Sequence, residues 1–250
     1  MIYITGDTHN SEDMSNLSKA NMELCCLEQK ADYGAITAAI VLGDFGLPWH
    51  TAFVARDGIH PTSSTDKKLL AWYNKKPFKV LALMGNHDNY DMLKKLPPVA
   101  MFGSTVLKVS ENVFYLKRGE VYTIEEKRFL VLGGALSVDK IYRIPHKSWW
   151  EEEAWSSAEE EALLAKIAAG ERTFDYVLSH NGPTAGIASV EEYVKNGGEV
   201  IKDPVVAFND QIDSMITYKK WFFGHWHSDS GYKNFKENKY IALYHEGVVV

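Results

Sequence analysis

The sequence has few of the features that mark secreted proteins. Its only cysteines, Cys25 and Cys26, are adjacent in the chain. Neighbouring Cα atoms lie about 3.8 Å apart across a trans peptide, which is less than the roughly 4.4–6.8 Å that a disulfide spans. A disulfide framework is therefore excluded, as is typical of a reducing compartment. The alternative interpretation of this pair is two small apolar side chains on a helix.

Long apolar runs and basic tracts are also missing. No apolar run approaches the ~18 residues of a membrane span, and no basic and apolar leader follows Met1. We therefore expect a cytoplasmic protein without a membrane partner. The net charge is −6, and no basic block exceeds a pair of lysines. Extended duplex nucleic acid is consequently not an expected partner, whereas a small phosphorylated substrate is compatible if metal ions supply positive charge locally.

Apolar material for a core is ample, with 46% hydrophobic and 24% charged residues. Apolar, β-prone runs alternate with helical segments, which predicts parallel strands joined by crossover helices. Residues 105–133 instead carry short β-prone runs separated by turn residues, which predicts antiparallel hairpins and indicates a second sheet. No linker or repeat divides the sequence, so we predict a single domain over residues 1–250.

Local signals add further expectations. Residues 46–62 contain glycine and proline and are predicted to form a loop over the site. Ser63 precedes apolar residues at helical spacing, which predicts a helix N-terminus. A second amphipathic helix is predicted over residues 158–169 and a β-strand over residues 230–235.

Five predicted strands end in residues that bind metals or transfer protons. The most prominent is the apolar run before Gly85-Asn86-His87-Asp88. The other four strand ends carry Asp7 with His9, Asp44, His180, and His225 with His227. Carboxyl ends of buried parallel strands deliver polar groups to one crevice. We therefore expect these side chains to line one polynuclear metal site.

The combination is more informative than any single motif. A lone Asp-x-His or His-x-His is more often surface decoration or a buried, hydrogen-bonded histidine than a metal ligand. Here five of the nine histidines lie at or just beyond predicted strand ends. Each of the five strand ends also carries a small residue that permits a tight turn. A ligand set of carboxylate, imidazole and amide oxygen suits borderline divalent ions such as Mn, Fe(II), Zn or Co better than it suits a structural zinc, which thiolates typically bind.

The series Gly6-Asp7-Thr8-His9, Gly43-Asp44, Gly85-Asn86-His87-Asp88, His180 and Gly224-His225-Trp226-His227 resembles the calcineurin-like metallophosphoesterase superfamily, in its general bacterial or phage type. The resemblance extends from residue 6 to residue 227. It implies an α/β fold in which two mixed β-sheets form a four-layer sandwich flanked by helices, as in metallo-dependent phosphatases. It also implies a metal-dependent phosphoesterase, a hydrolase that acts on ester bonds.

The resemblance further implies a dinuclear centre with a defined set of ligands. The ligands implied for one ion are Asp7, His9 and His227. The ligands implied for the other ion are Asn86, His180 and His225. Asp44 would bridge the two ions. The expected cofactors are two divalent metal ions drawn from Mn, Fe, Zn, Co and Ni, with manganese as the first choice.

The expected chemistry follows from the charge of such a centre. Two cations about 3.5–4 Å apart can hold a bridging hydroxide and clamp a phosphoryl oxygen during in-line displacement. His87 would not bind metal but would protonate the leaving group as a general acid, made more basic and oriented by Asp88. The alternatives are a ligand or packing role for His87 and a purely turn-forming role for Asp88.

One position departs from the superfamily pattern and bears on the substrate. The second motif commonly has another aspartate three places after the bridging one, where this sequence has Leu47. A hydrogen bond around the centre is then missing or supplied elsewhere. Ser/Thr protein phosphatases typically have Asp-Arg-Gly here, so we favour a small phosphomonoester or phosphodiester. A protein phosphatase and a non-catalytic metal-binding interaction scaffold remain alternatives, although a scaffold predicts lost ligand positions.

Arg143 is a candidate substrate-binding residue. It follows a glycine pair and precedes Trp149 and Trp150 in the sequence. Its guanidinium could fork onto a phosphate oxygen, and the tryptophans could stack on a base or form a pocket wall. The alternative is that Arg143 pairs with the acidic cluster Glu151–Glu153 while the rings pack as a lid.

Overall fold

The computed structural model describes residues 1–190, 203–230 and 237–250. Its strands are β1 (Ile2–Thr5), β2 (Ala38–Val41), β3 (Ala52–Ala55), β4 (Gly58–Pro61), β5 (Lys79–Ala82), β6 (Pro98–Met101), β7 (Ser104–Lys108), β8 (Val113–Leu116), β9 (Val121–Ile124), β10 (Lys127–Leu132), β11 (Tyr176–Ser179), β12 (Lys220–Phe223), β13 (Tyr240–Ala242) and β14 (Gly247–Val249). Its α-helices are α1 (Lys19–Glu28), α2 (Ser64–Asn74), α3 (Tyr90–Leu93), α4 (Ser157–Ala168), α5 (Thr184–Ile187) and α6 (Pro204–Met215). Short 3₁₀ helices cover Met14–Leu17, Tyr33–Ala35, Lys140–Tyr142 and Glu151–Glu153.

The strands form two large mixed sheets. The seven-stranded sheet has the order β14-β1-β2-β5-β8-β7-β6 and is parallel from β1 to β8 through β2 and β5. The five-stranded sheet has the order β13-β12-β11-β10-β9 and is parallel except at β9. Strands β3 and β4 form a separate antiparallel hairpin. The predicted pair of mixed sheets is confirmed.

Three hydrophobic clusters separate four layers. The inner faces of the two sheets share one core, in which Ile40 of β2 and Phe129 of β10 are buried. The outer face of the first sheet packs against α1 and α2, as Met22 shows. The outer face of the second sheet packs against α4 and α6, where Leu163 and Ile212 are buried. Burial of apolar surface at about 25 cal/mol per Å² stabilises this sandwich, and the predicted four-layer fold is confirmed.

The register of the parallel strands brings their carboxyl ends to one edge. Thr5, Val41 and Ala82 are aligned across β1, β2 and β5. Ser179 is likewise aligned with Phe223 across β11 and β12 in the second sheet. The loops after these strands therefore leave the sandwich at matching levels, which places the polar residues of the motifs near one another.

The prediction of a loop over residues 46–62 was wrong for the part that forms the β3–β4 hairpin. The turn is Arg56-Asp57, because Ala55 pairs with Gly58. Gly58 begins β4 with a φ of +126°, which favours glycine. A side chain there would also collide with the backbone of Val109. The strands are short and Phe53 is exposed, so the apolar alternation that would have revealed them is weak.

Helix boundaries followed the capping signals. The Ser63 side chain accepts hydrogen bonds from the backbone of Thr65 and Asp66, which confirms the predicted start of α2. The helix predicted over residues 158–169 is α4, which begins after Ser156 with a capping box closed by Glu159. The strand predicted over residues 230–235 falls, apart from Ser230, outside the described residues. Within the described ranges, every helix is too short or too polar to cross a membrane.

Candidate metal centre

Two groups of acidic and imidazole side chains lie where the parallel strands end. The first group is Asp7, His9 and His227, and the second is Asp44, His180 and His225. Within each group, one ligand atom from each residue lies within 4.8 Å of the others. The amide oxygen of Asn86 adjoins the second group, 3.0 Å from Nε2 of His180. The seven positions named from sequence are thus brought together at one edge of the sandwich.

The carboxylate of Asp44 connects the two groups. Its Oδ2 lies 3.6 Å from Nε2 of His9, while its Oδ1 lies 3.2 Å from Nε2 of His180. Asp7 has Oδ2 3.4 Å from Nε2 of His227, whereas its Oδ1 lies 3.7 Å from Nδ1 of His180, the ring nitrogen that faces the carbonyl of Leu42. Asp44 is therefore the carboxylate whose two oxygens face an Nε2 atom of each group, which is the geometry of a shared ligand.

Hydrogen bonds to the ring nitrogens that face away from the two groups set the orientation of His9 and His180. Nδ1 of His180 lies 2.8 Å from the carbonyl oxygen of Leu42, and Nδ1 of His9 lies 2.8 Å from the carboxylate of Asp13. A ring nitrogen held in this way leaves the other nitrogen free to face a cation. Leu47 is fully buried in the core and cannot supply such a bond. Sequence reasoning did not identify Asp13, because a carboxylate in a polar loop carries no motif of its own.

Several residues of the site have a left-handed backbone. The φ angles are 42° at His9, 47° at Asp44, 68° at His225 and 46° at His227. This region is uncommon for residues other than glycine and costs of order 1–3 kcal/mol at each position. Backbone hydrogen bonds hold the turns, including one from the amide of His9 to the carbonyl of Asp44. Strain of this kind is characteristic of functional sites.

Two glycines permit the close approach of candidate ligands. A Cβ at Gly85 would collide with the carboxylate of Asp44, and a Cβ at Gly43 would collide with the ring of His180. Gly43 also has a φ of +103°, which disfavours other residues. These glycines therefore make room for side chains of the site as well as allowing tight turns.

The site concentrates buried negative charge. Asp7 and Asp44 are 0% and 1% exposed, and among the described residues their ion-pair partners are imidazoles rather than lysine or arginine. Burial opposes protonation of His180, but these carboxylates outweigh it and raise its pKa to about 10. Burial likewise opposes protonation of His9, whose pKa the same carboxylates raise to about 9. The negative electrostatic potential that raises these two pKa values also favours the binding of divalent cations.

Oxygen and imidazole donors of this kind fit borderline divalent metal ions, and no cysteine is among them. Burial, followed by the nearby His180, lowers the pKa of His225 to about 3. His225 is therefore held in the neutral form in which imidazole binds metals.

A family model for calcineurin-like phosphoesterases matches residues 1–229. The chain belongs to the calcineurin-like phosphoesterase family. Its members are metal-dependent phosphoester hydrolases that use divalent ions, and the two groups of this phosphoesterase could hold such ions. The predicted superfamily and the predicted enzyme class are confirmed. A search of curated proteins found no match.

In this phosphoesterase, Asp88 does not contact the ring of His87. Its Oδ1 accepts hydrogen bonds of 2.8 Å from the amide of Gly46 and the hydroxyl of Tyr115, and its Oδ2 accepts one of 2.8 Å from the amide of Gly85. The carboxylate is turned into the protein, where burial is the main cause that raises its pKa to about 6. The expected orientation of His87 by Asp88 is corrected accordingly, and the turn-forming alternative agrees with these contacts.

The guanidinium of Arg143 lies beside His87 instead. Its Nη1 is 3.0 Å from Nδ1 of the ring and its Nη2 is 3.2 Å from Nε2. The carboxylate that pairs with Arg143 is Asp139, at 2.6 Å, so the expected alternative pairing with Glu151–Glu153 is not the one observed. Burial is the main cause that lowers the pKa of His87, with Arg143 contributing and Asp44 opposing. The free phosphoesterase thus favours a neutral ring at His87.

A cleft of about 450 Å³ opens beside the two groups. It is lined by His9, Asn10, Ser11, Glu12, Gly46, Trp49, Thr65 and His87. Trp150 is 1% exposed and packs edge-on against Trp49, with ring centroids 5.7 Å apart. Of the alternatives for the two tryptophans, stacking on a substrate base is excluded for Trp150, because its ring is in the core. Trp49 is the tryptophan that lines the cleft, and sequence reasoning had assigned it only to a loop.

Proposed function

We propose that this chain hydrolyses a small phosphomonoester or phosphodiester at a dinuclear metal centre. The observation that carries the proposal is the Asp44 carboxylate, which directs one oxygen at each group. Asp44 would be the ligand shared by the two ions. The first ion would be held by Asp7, His9 and His227. The second ion would be held by Asn86, His180 and His225. Manganese is the first choice among Mn, Fe, Zn, Co and Ni.

Two bound divalent ions would supply a water that ionises near neutral pH and positive charge for the phosphoryl oxygens. The protein's own contribution is preorganisation. With the ions bound, Asp13 and the carbonyl of Leu42 would keep the remaining proton of His9 and His180 on Nδ1 and leave Nε2 to the metal. The carboxylates of Asp7 and Asp44 are buried, so their charges act in a medium of low dielectric.

Arg143 and His87 are proposed to act on the substrate. The side chain of Arg143 is 17% exposed beside His87, where its guanidinium could donate to a phosphoryl oxygen. His87 would give a proton to the leaving alkoxide. A bound phosphate would raise the pKa of His87, because a nearby negative charge stabilises the imidazolium. Substrate binding would thereby favour the form of the ring that the transfer requires.

The cleft supports a small leaving group. Its volume of about 450 Å³ is within the usual ~300–1,000 Å³ range of small-molecule sites. No lysine or arginine is among its lining residues, so it offers no recognition for a second phosphate. Trp49 provides an apolar wall, and Ser11 and Thr65 provide hydroxyls. A protein phosphatase or a non-catalytic scaffold has no comparable support from these contacts.

The test is hydrolysis of a panel of chromogenic monoesters and diesters, nucleotides and cyclic nucleotides after chelation and reloading with Mn, Ni, Zn or Mg. We expect activity that depends on added metal and is abolished in Asp44→Asn. Asp57→Asn, at the exposed hairpin turn, is the matched control and should retain full activity. Absence of hydrolysis with every metal and ester, or full activity in Asp44→Asn, would contradict the proposal.

A further inference from the structure

A line of hydrogen bonds leads from Asn86 into the irregular segment 134–157. Nδ2 of Asn86 donates to Oγ of Ser137 at 3.2 Å, and that hydroxyl donates to Oε2 of Glu153 at 2.7 Å. The amide of Ser137 also donates to Oε1 of Glu153 at 2.7 Å. The three residues, which we call the Asn86 network, are 3%, 2% and 1% exposed. The network is thus shielded from solvent.

The carboxylate of Glu153 sets the direction of these hydrogen bonds. An ionised carboxylate only accepts, and Oε1 of Glu153 already accepts from Nε1 of Trp149 at 2.7 Å. The hydroxyl hydrogen of Ser137 is therefore directed at Glu153, which leaves a lone pair of its oxygen for Asn86. The amide of Asn86 must then present its NH₂ group to Ser137 and its oxygen to His180, whose Nε2 is 3.0 Å away.

This direction matters because the two ends of a carboxamide have nearly the same shape and opposite chemistry. The oxygen has lone pairs that can bind a cation, whereas the NH₂ group is a donor. Rotation of the Asn86 amide by half a turn would place the NH₂ group beside His180 at little steric cost. A protonated His180 also selects the oxygen in the metal-free chain. With a cation bound, Nε2 of His180 would carry no proton, and the Asn86 network would then hold the same orientation.

We propose that Glu153, acting through Ser137, is a positioning residue that keeps the amide oxygen of Asn86 directed at the metal centre. The inference rests on the proposed function in one respect, that Asn86 is a metal ligand. Hydrogen-bonding partners of this kind typically change metal affinity by about 10–100-fold.

The first test is Glu153→Gln, measured by calorimetric titration of the purified chain with Mn²⁺. The new amide can donate to Oγ of Ser137 and free the hydroxyl hydrogen to turn towards Asn86, which favours the inverted amide. We expect about 10–100-fold weaker binding of one of the two Mn²⁺ ions, with the other unchanged. Glu152→Gln is the control, because that neighbouring carboxylate pairs with Lys94 outside the network and should bind as wild type does.

The decisive comparison repeats Glu153→Gln in an Asn86→Asp background. Both terminal atoms of aspartate are oxygens, so an inverted side chain still presents oxygen to the cation. In that background Glu153→Gln should change Mn²⁺ affinity by no more than about twofold. A packing role for Glu153 would instead produce the same loss in both backgrounds. If Glu153→Gln fails to fold, Ser137→Ala replaces it in the same pair of backgrounds.

The outcomes separate this inference from the proposed function. Equal losses in the two backgrounds, or no loss in either, overturn the positioning role even if the wild type hydrolyses phosphate esters. A wild type that binds two Mn²⁺ ions but hydrolyses no ester overturns the proposed function and leaves the affinity comparison valid. A wild type that binds no Mn²⁺ overturns both.

Discussion

The guanidinium of Arg143 lies against the imidazole of His87, with Nη1 3.0 Å from Nδ1 and Nη2 3.2 Å from Nε2. The two residues are 56 positions apart in the chain. A guanidinium is permanently positive and only donates hydrogen bonds, so Arg143 favours the neutral form of His87. The negative charge of a bound phosphate would offset this effect. The contact places a candidate phosphate-binding group and a candidate proton donor at the same point.

Replacing His87 by alanine should separate substrates by their leaving groups. An alkyl phosphate needs a proton on its leaving alkoxide, and we expect its hydrolysis to fall by about 10²–10⁴-fold. A p-nitrophenyl ester has a stable leaving group, so its hydrolysis should fall far less. The measurement is kcat on both esters at saturating metal. Equal losses on the two esters would remove His87 from the role of general acid.

Replacing Arg143 by alanine should weaken the recognition of phosphate. A charge-assisted hydrogen bond contributes about 1.5–3 kcal/mol, which corresponds to roughly a 10–160-fold fall in kcat/KM. Arg143→Lys should recover only part of this, because an ammonium lacks the planar fork. Arg128→Ala is the control, since Arg128 lies on β10 and pairs with Glu171. Kinetics of Arg143→Ala that equal those of the wild type would show that Arg143 does not touch the substrate.

Replacing Asp88 by asparagine should affect stability rather than proton transfer. The new NH₂ group would face an N–H or O–H donor at the turn, and an unsatisfied buried donor costs about 1–3 kcal/mol in the free energy of unfolding. The ratio of alkyl to p-nitrophenyl hydrolysis should equal that of the wild type, because Asp88 contacts Gly46, Gly85 and Tyr115. A selective loss of alkyl hydrolysis with unchanged Tm would restore the catalytic role for Asp88.

Substitution of Gly85 by alanine should disturb the centre through Asp44. The added Cβ would collide with the Asp44 carboxylate, and overpacking of this kind costs about 1–3 kcal/mol in stability. We expect lower Tm and weaker Mn²⁺ binding. Gly34→Ala is the matched control, because its Cβ would meet only the flexible side chain of Asp32. Equal effects of the two substitutions on Mn²⁺ binding would contradict the proposed contact.

Much of the fold and the clustering of the seven candidate ligands could be predicted because their signals are local. A buried strand is a short apolar run, and its end is marked by glycine followed by a polar residue. Parallel pairing then brings such ends to one edge, as the alignment of Thr5 with Val41 shows. The serine cap at residue 63 predicted the start of α2 for the same reason, since the capping signal lies within three residues of the helix start.

Other features could not be predicted because they depend on which side chains meet across the fold. The side chain of Asp88 can turn towards His87 or towards the amide of Gly46, and only the three-dimensional turn decides between them. Ser137 and Glu153 lie in a segment without regular periodicity, and neither carries a motif. Tyr244 is similar, since its stacking on His227, at 4.6 Å between ring centroids, joins residues from separate loops.

The most direct test is an anomalous difference map from crystals of the chain grown with excess Mn²⁺. We predict two peaks about 3.5–4 Å apart with the Asp44 carboxylate between them. The ligands expected at one peak are Asp7, His9 and His227, and those at the other are Asn86, His180 and His225. Absence of Mn²⁺ from these strand ends, or a single peak without contact to Asp44, would contradict the dinuclear centre.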